Sequence, residues 1–154
     1  MSKKDLANNL TVTQLLDPVT LTATANSNGI DTALTTGSAM IIVNCGESGD
    51  TLSSTVKWDY ILQDSSDNAS FSAVTNSDFV TYGTVDSSGI FATVDAAAED
   101  DAAYPIGYIG PNRYVRVAVT KTGTHTNGTP HGVVGLTSPI HKPASGGNDG
   151  SPTG

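Results

Sequence analysis

The sequence predicts an all-β protein that folds as a single antiparallel β-sandwich, of the jelly-roll or immunoglobulin-like type. Two observations support this fold class. Apolar and polar residues alternate with a period of two in several short segments, as expected for strands that bury one face. Charged residues make up only 14% of the chain, and Thr, Ser, Asn and Gly, which favour strands and turns, take their place. A length of 154 residues suits one domain.

We expect three parts along the chain: an N-terminal arm at 1–16, the β-sandwich domain at 17–142 and a flexible Gly- and Ser-rich tail at 143–154. The arm is polar and becomes apolar only at Leu15 and Leu16. The tail, PASGGNDGSPTG, has the composition of a flexible linker.

Strand candidates begin directly after the arm. Residues 18–24 alternate, with Val19 and Leu21 on one face, which predicts a half-exposed strand. Residues 39–45, AMIIVNC, form a near-continuous apolar run, which is typical of a central strand covered on both faces. The only cysteine, Cys45, lies in this run. We expect it to be a small core residue, because nothing nearby would activate it as a nucleophile.

The middle of the chain carries the strongest alternation. Residues 55–63 place four large side chains on one face: Val56, Trp58, Tyr60 and Leu62. We expect them to pack in the core, rather than to form, with Phe71, an exposed platform for carbohydrate rings. The later elements are a polar loop at 64–70, a short helix or turn at 76–79, a strand at 89–94, a segment at 95–103 too short for a stable helix, and a last strand at 133–136.

Residues 104–120, YPIGYIGPNRYVRVAVT, predict a β-hairpin. Gly110-Pro111-Asn112 forms the turn, since the fixed φ of proline suits the first central position. Both arginines of the chain lie in this segment, and Tyr and Arg are enriched at protein interfaces. We therefore expect Tyr108 and Tyr114 to be exposed. The predicted partner contacts are Leu15, Leu16, Tyr108, Asn112, Arg113, Tyr114 and Arg116.

Net charge limits the partners of this chain. A formal charge of −8 disfavours nucleic acids, whose binding depends on Lys and Arg contacts to phosphates. Anionic membrane lipids are disfavoured for the same reason. The N-terminus lacks the apolar segment of a signal peptide, and no apolar run is long enough for a transmembrane helix. We expect synthesis in the cytoplasm and no membrane partner.

Catalytic and metal-binding motifs are not apparent in the sequence. His125, His131 and His141 lack the spacing of a zinc site, and we expect them to be solvated or to anchor loops. The acidic residues at 95–101, and the pair Asp64 and Asp67, do not follow a calcium-binding loop pattern. No nucleotide-binding loop or serine-hydrolase elbow is present. We expect a protein that is not an enzyme and uses no cofactor or metal.

Three stretches resemble small β-sandwich proteins encoded among the head genes of tailed bacteriophages. They are AMIIVNCG at 39–46, the strand, polar loop and SFSAV at 58–74, and the more specific YIGPNRYVRV at 108–117. The resemblance covers roughly residues 38–137. It implies a structural virion protein that decorates or cements the capsid exterior, with the major capsid protein as its partner. The arm and the Gly-rich tail depart from the family pattern.

Symmetric capsid decoration favours a homo-oligomer, with a trimer as the expected state. In this hypothesis the arm at 1–16 lies across a neighbouring subunit, and its deletion abolishes attachment without unfolding the domain. Two alternatives remain open at this point. One is a carbohydrate- or receptor-binding sandwich of a tail fibre, which exposed aromatic residues would favour. The other is a tail or connector component that forms rings.

Overall fold

The computed structural model describes residues 7–33, 35 and 37–138. Two short 3₁₀ turns lie at Ala7–Asn9 and Ser77–Phe79. The strands of the described residues are β1 (Thr11–Leu21), β2 (Ala25–Asn26), β3 (Ile30–Asp31), β4 (Ala39–Cys45), β5 (Lys57–Ser65), β6 (Ser72–Ala73), β7 (Val80–Tyr82), β8 (Ile90–Val94), β9 (Ala102–Tyr108), β10 (Tyr114–Thr122) and β11 (Thr129–Thr137).

These strands form two antiparallel sheets, which confirms the predicted all-β sandwich. The five-stranded sheet has the order β1-β11-β4-β9-β7. In the second sheet the order is β2-β10-β5-β6, with β3 also paired to β10 and β8 to β5. If β2 and β3 are taken as one strand and the short β6 and β7 are set aside, the two sheets read 1-8-3-6 and 2-7-4-5 in chain order. That order is the jelly roll, the first of the two predicted alternatives.

The core lies between the two sheets and follows the predicted alternation. Val115, Val117 and Val119 of β10 are fully buried, as are Trp58, Tyr60 and Leu62 of β5, and Ile41 and Val43 face them from β4. Burying a side chain of this size stabilises the fold by about 1.5–3 kcal/mol relative to leaving it exposed. Cys45 is also buried, as expected.

The predicted hairpin at 104–120 is wrong. β9 pairs with β4 and β7 in the five-stranded sheet, whereas β10 pairs with β5 in the other sheet. The segment Gly110-Pro111-Asn112 therefore carries the chain across the sandwich. Alternation shows which side chains face the core, but it does not show which strand is the partner. A turn signal between two alternating segments fits both a hairpin within one sheet and a connection between the two sheets.

The predicted arm is also wrong from Thr11 onward. Thr11–Leu21 is a continuous edge strand that pairs with β11 from Thr137 back to Thr129, and Leu15 is only 3% exposed. The register of β1 shifts between Gln14 and Leu16 and again between Leu16 and Val19. These bulges interrupt the period of two, so the predicted strand at 18–24 matches only the second half of β1. Residues 1–6 of the arm and the whole tail at 143–154 lie outside the described residues.

Several other elements match their predictions. The strands at 89–94 and 133–136 are confirmed as β8 and β11, and the turn at 76–79 is confirmed at Ser77–Phe79. The predicted loop at 64–70 begins later than expected, because Asp64 and Ser65 complete β5 and are buried. β4 is central, as predicted, but its covering on both faces is wrong.

Candidate docking surface on the five-stranded sheet

One row of side chains crosses the outer face of the five-stranded sheet from edge to edge. Val12 of β1 lies opposite Leu136 of β11, Leu136 opposite Met40 of β4, and Met40 opposite Gly107 of β9. Tyr82 of β7 completes the row opposite Gly107. Residues directly opposite each other in a sheet share a face, so this row is apolar over four strand spacings, or about 19 Å.

The ends of this apolar row are open to solvent. Val12 is 66% exposed and Tyr82 is 55% exposed. Gly107 is required between them, because a Cβ there would lie 2.7 Å from Thr81 Cγ2 and 3.1 Å from Tyr82 Cβ. The missing side chain leaves room for Thr81 and Tyr82 of β7, which pairs beside β9 with a shift of register here. Glycine at this position therefore shapes the row.

Two further rows lie below the first on the same face. The second row consists of cross-strand neighbours on β1, β11, β4 and β9, which are Gln14, Val134, Ile42 and Pro105 in that order. In the third row, Gly132, Asn44 and Ala103 are neighbours across β11, β4 and β9. We call these three rows the outer face. None of its residues is charged, although the chain carries a net charge of −8.

The outward side of the second sheet has a different chemistry. The Arg116 guanidinium donates a hydrogen bond to Gln63 Oε1 at 2.8 Å and lies 4.0 Å above the ring of Phe71. On the same side, Asp59 accepts a hydrogen bond from Thr93 and pairs with Lys57 at 3.3 Å. The outward side of the second sheet therefore carries charged and polar side chains, whereas the three rows of the outer face carry no charged residue.

The sequence carries a signal for the outer face in β4. The run at 39–45 is apolar on both faces, which predicted a strand covered on both sides. In the structure Ile41 and Val43 are buried, whereas Met40 and Ile42 are half-buried and Asn44 is exposed. No described residue covers that second face. An apolar strand face that its own chain leaves open is typical of a docking surface.

A groove lies at the lower end of the outer face, where the third row has small residues. Its volume is about 490 Å³. Gly132 and Ala103 are in its floor, beside Asn44, and Pro18 lies in its wall. Of the described residues that line it, Asp101 alone is charged. Because β1 is bulged here, the side chain of Pro18 comes close to Gly132, where an added Cβ would lie 3.6 Å from it.

The residues predicted as partner contacts do not form one surface. Leu15 and Tyr108 are buried, so their predicted availability to a partner is wrong. Leu16 is half-buried against the core. Arg113 is exposed and makes two hydrogen bonds to Asp31, of 2.9 and 2.7 Å. Tyr114 is half-buried, so its predicted exposure is only partly confirmed. The Arg113 guanidinium lies 5.0 Å from the centre of the Tyr114 ring.

Tyr108 instead stabilises the connection between the sheets. Its hydroxyl donates to Asp64 Oδ2 at 2.7 Å and accepts the Asn112 N–H at 3.1 Å. Burial and the neighbouring Asp64 carboxylate raise the pKa of Tyr108. This residue therefore fixes the turn that crosses the sandwich. Asn112 is half-buried beside it.

Aromatic and histidine side chains form a polar network inside the core. Trp58 Nε1–H donates to Thr129 Oγ1 at 3.0 Å, and Trp58 has no exposed surface. Its burial confirms the core prediction and leaves it unable to stack on a carbohydrate ring. The rings of His125 and His131 lie 4.4 and 4.8 Å from the Trp58 ring. Both are buried, so solvated histidines are ruled out at these two positions, while His141 lies outside the described residues.

Acidic side chains mostly stabilise loops in the structure. Asp67 accepts the N–H groups of Ala69 and Ser70, and these hydrogen bonds lower its pKa to about 2. Asp50 likewise accepts three N–H groups of the loop at 126–128, which lowers its pKa. Within the described residues, no group of three His, Cys, Asp or Glu side chains is arranged to hold a metal ion.

Among the residues that the structure describes, no helix is long and apolar enough to cross a membrane. Neither the models of known protein families nor the curated proteins include a match to this chain. The resemblance to bacteriophage head proteins therefore stays a prediction from the sequence.

Proposed function

We propose that this chain is a structural protein of a tailed-bacteriophage virion that acts without catalysis. It binds the outer surface of the capsid and stabilises the shell, with the major capsid protein as its partner. The outer face of the five-stranded sheet is its docking surface. One observation carries this proposal: an uncharged, apolar row crosses all five strands of one sheet in a chain with a net charge of −8.

Docking through this face would remove apolar surface from water, which favours association by about 25 cal/mol per Å² of buried apolar area before the costs of binding are subtracted. The two exposed ends of the row, Val12 and Tyr82, would lose the most solvent contact. A rigid sheet loses little conformational entropy on binding. Binding through such a surface requires no conformational change and no catalytic group.

Several copies would bind a shell more tightly than one. We propose a homo-oligomer, with a trimer as the favoured state, because a closed symmetric assembly repeats each contact. Attachment of one subunit then raises the effective concentration of the others at their sites. Binding to the assembled shell also stabilises it by mass action, since the protein binds the intact lattice and not the dissociated subunits.

A rebinding assay tests this proposal. Particles of the phage that encodes the chain are prepared without it, and purified chain is added. We expect saturable binding with a fixed number of copies per capsid and a higher temperature of genome release. Light scattering of the free chain gives its oligomeric state. A chain that fails to bind these particles, while its circular dichroism shows a folded β protein, would refute the proposed function.

A further inference from the structure

The groove at the lower end of the outer face has a shape that follows from missing side chains. Gly132 has none, and its cross-strand neighbours along the third row are Asn44 and then Ala103. On the same strand, the two rows above carry Val134 and Leu136 at the position of Gly132. The result is an open depression of about 490 Å³.

The lining of this groove combines apolar and polar side chains and has a carboxylate at one end. Pro18, Pro130 and Val134 line it with apolar atoms, and Asn44 adds an exposed amide. Among the described lining residues, Asp101 supplies the only charge, and it is exposed. A long aliphatic stem fits the apolar part, and a cationic group at its end fits the carboxylate.

We propose that the groove binds one lysine or arginine side chain of the partner surface. The aliphatic stem lies over Gly132 against Pro18 and Val134, and the cationic head reaches Asp101 and the amide of Asn44. This inference deepens the proposed function and rests on it for the identity of the partner. Its charge complementarity also argues against a second copy of this chain. Another copy would bring an acidic groove end of its own against an outer face without cations.

The backbone at Asp101 permits a clean test of the charge. Asp101 has a positive φ of 51°, a conformation that asparagine adopts readily. Asp101→Asn therefore removes the charge and keeps the backbone. Gly132→Val fills the floor, because a Cβ at Gly132 meets Pro18 at an ordinary contact distance of 3.6 Å. Asp78→Asn is the matched control, since Asp78 is exposed in the turn before β7 at the other end of the sheet.

The probe is N-acetylarginine amide, titrated into the isotope-labelled full chain and followed by amide chemical shifts. N-acetylnorleucine amide, which has a similar stem without the charge, is the comparison. We expect the arginine probe to shift the amides of Gly132, Asn44 and Ala103. Asp101→Asn should weaken its binding by about two- to fivefold, as expected for one exposed ion pair. Gly132→Val should abolish the shifts, and Asp78→Asn should leave them unchanged.

Equal affinity for the norleucine probe would overturn the proposal, because the groove would then select only an apolar stem. It would also be overturned if the arginine probe gave no shifts. Shifts that spread over the acidic surface and stayed the same in the Asp101→Asn variant would overturn it as well. Rebinding to particles is a separate measurement. A chain that binds the probe but not particles would refute the proposed function alone, and a chain that binds particles but not the probe would refute the groove alone.

Discussion

The hydroxyl of Tyr60 lies 2.9 Å from Nε2 of His131, and this contact joins the two sheets across the core. Tyr60 belongs to β5 and His131 to β11. Nδ1 of His131 lies 3.0 Å from the Thr129 carbonyl oxygen, which only accepts, so Nδ1 carries the proton. Nε2 then accepts the hydrogen bond from Tyr60. Each nitrogen atom of the neutral ring therefore has a hydrogen-bond partner.

This arrangement predicts that the fold loses stability in mild acid. Burial lowers the pKa of His131 from 6.5 to about 4, so the unfolded chain binds a proton between these values and the folded chain does not. The free energy of unfolding should fall as the pH drops from 6.5 towards 4, by about 3 kcal/mol in total from this group. Denaturant unfolding across this pH range measures the change.

Two controls isolate the contribution of His131. The variant His131→Gln should show a flatter dependence of the unfolding free energy on pH in the same range. Direct NMR titration of the wild-type ring should give a pKa near the lowered value. A ring that titrates at its ordinary value would contradict the neutral, buried histidine.

Removing the hydroxyl of Tyr108 should destabilise the fold. Tyr108→Phe leaves the buried Asp64 carboxylate and the Asn112 N–H without the partners described above. We expect a loss of about 1–3 kcal/mol in the free energy of unfolding. Tyr82→Phe is the matched control, because Tyr82 is exposed, and a change within about 0.5 kcal/mol is expected there. Equal losses in both variants would show that the hydroxyl of Tyr108 has no special role.

Two glycines of the same sheet should respond differently to alanine. At Gly107 the added Cβ would lie 2.7 Å from Thr81 Cγ2, so Gly107→Ala should push β7 away and cost about 1–3 kcal/mol. At Gly132 the nearest atoms lie 3.6 Å away, so Gly132→Ala should be close to neutral. Thermal unfolding of both variants measures the difference, and a neutral Gly107→Ala would contradict the close packing of β7 on β9.

Truncations of the N-terminus test whether residues 11–16 belong to the folded domain. Deletion of 1–10 leaves β1 and should leave the fold intact. Deletion of 1–16 removes Leu15, which is 3% exposed, and the first half of the β1 pairing with β11. Loss of one buried leucine alone costs about 2–5 kcal/mol. Equal stability of the two truncated chains would show that 11–16 behaves as the arm that the sequence predicted.

Much of the fold follows from alternation in the sequence. Trp58, Tyr60 and Leu62 face the core as predicted, because a period of two identifies a buried strand face whatever its partner. The period does not identify the partner strand, so the segment around Pro111 predicts a hairpin that the structure does not form. In β1, the bulges between Gln14 and Val19 interrupt the period, so the sequence predicts only the second half of the strand, at 18–21.

The docking surface was harder to predict than the core. Met40 and Ile42 carried the apolar signal, but a strand that is apolar on both faces does not show whether its own chain or another molecule covers the second face. Val12 and Tyr82 belong to the same row only because β1 pairs with β11 and β7 pairs with β9, which the sequence does not show. The predicted contacts at Arg113 and Tyr114 relied on residue type, and the structure pairs Arg113 with Asp31 within the chain.

The measurement that tests the central claim most directly is rebinding of face variants to particles that lack the protein. The double variant Val12→Glu with Tyr82→Glu places charges at the two exposed ends of the apolar row. Ala73→Glu with Thr122→Glu places the same charges at exposed positions of the second sheet. With both variants folded, we expect the first to lose at least about tenfold in affinity, or about 1.4 kcal/mol, and the second to bind as the wild type does. Equal binding of the two variants would contradict docking through the five-stranded sheet.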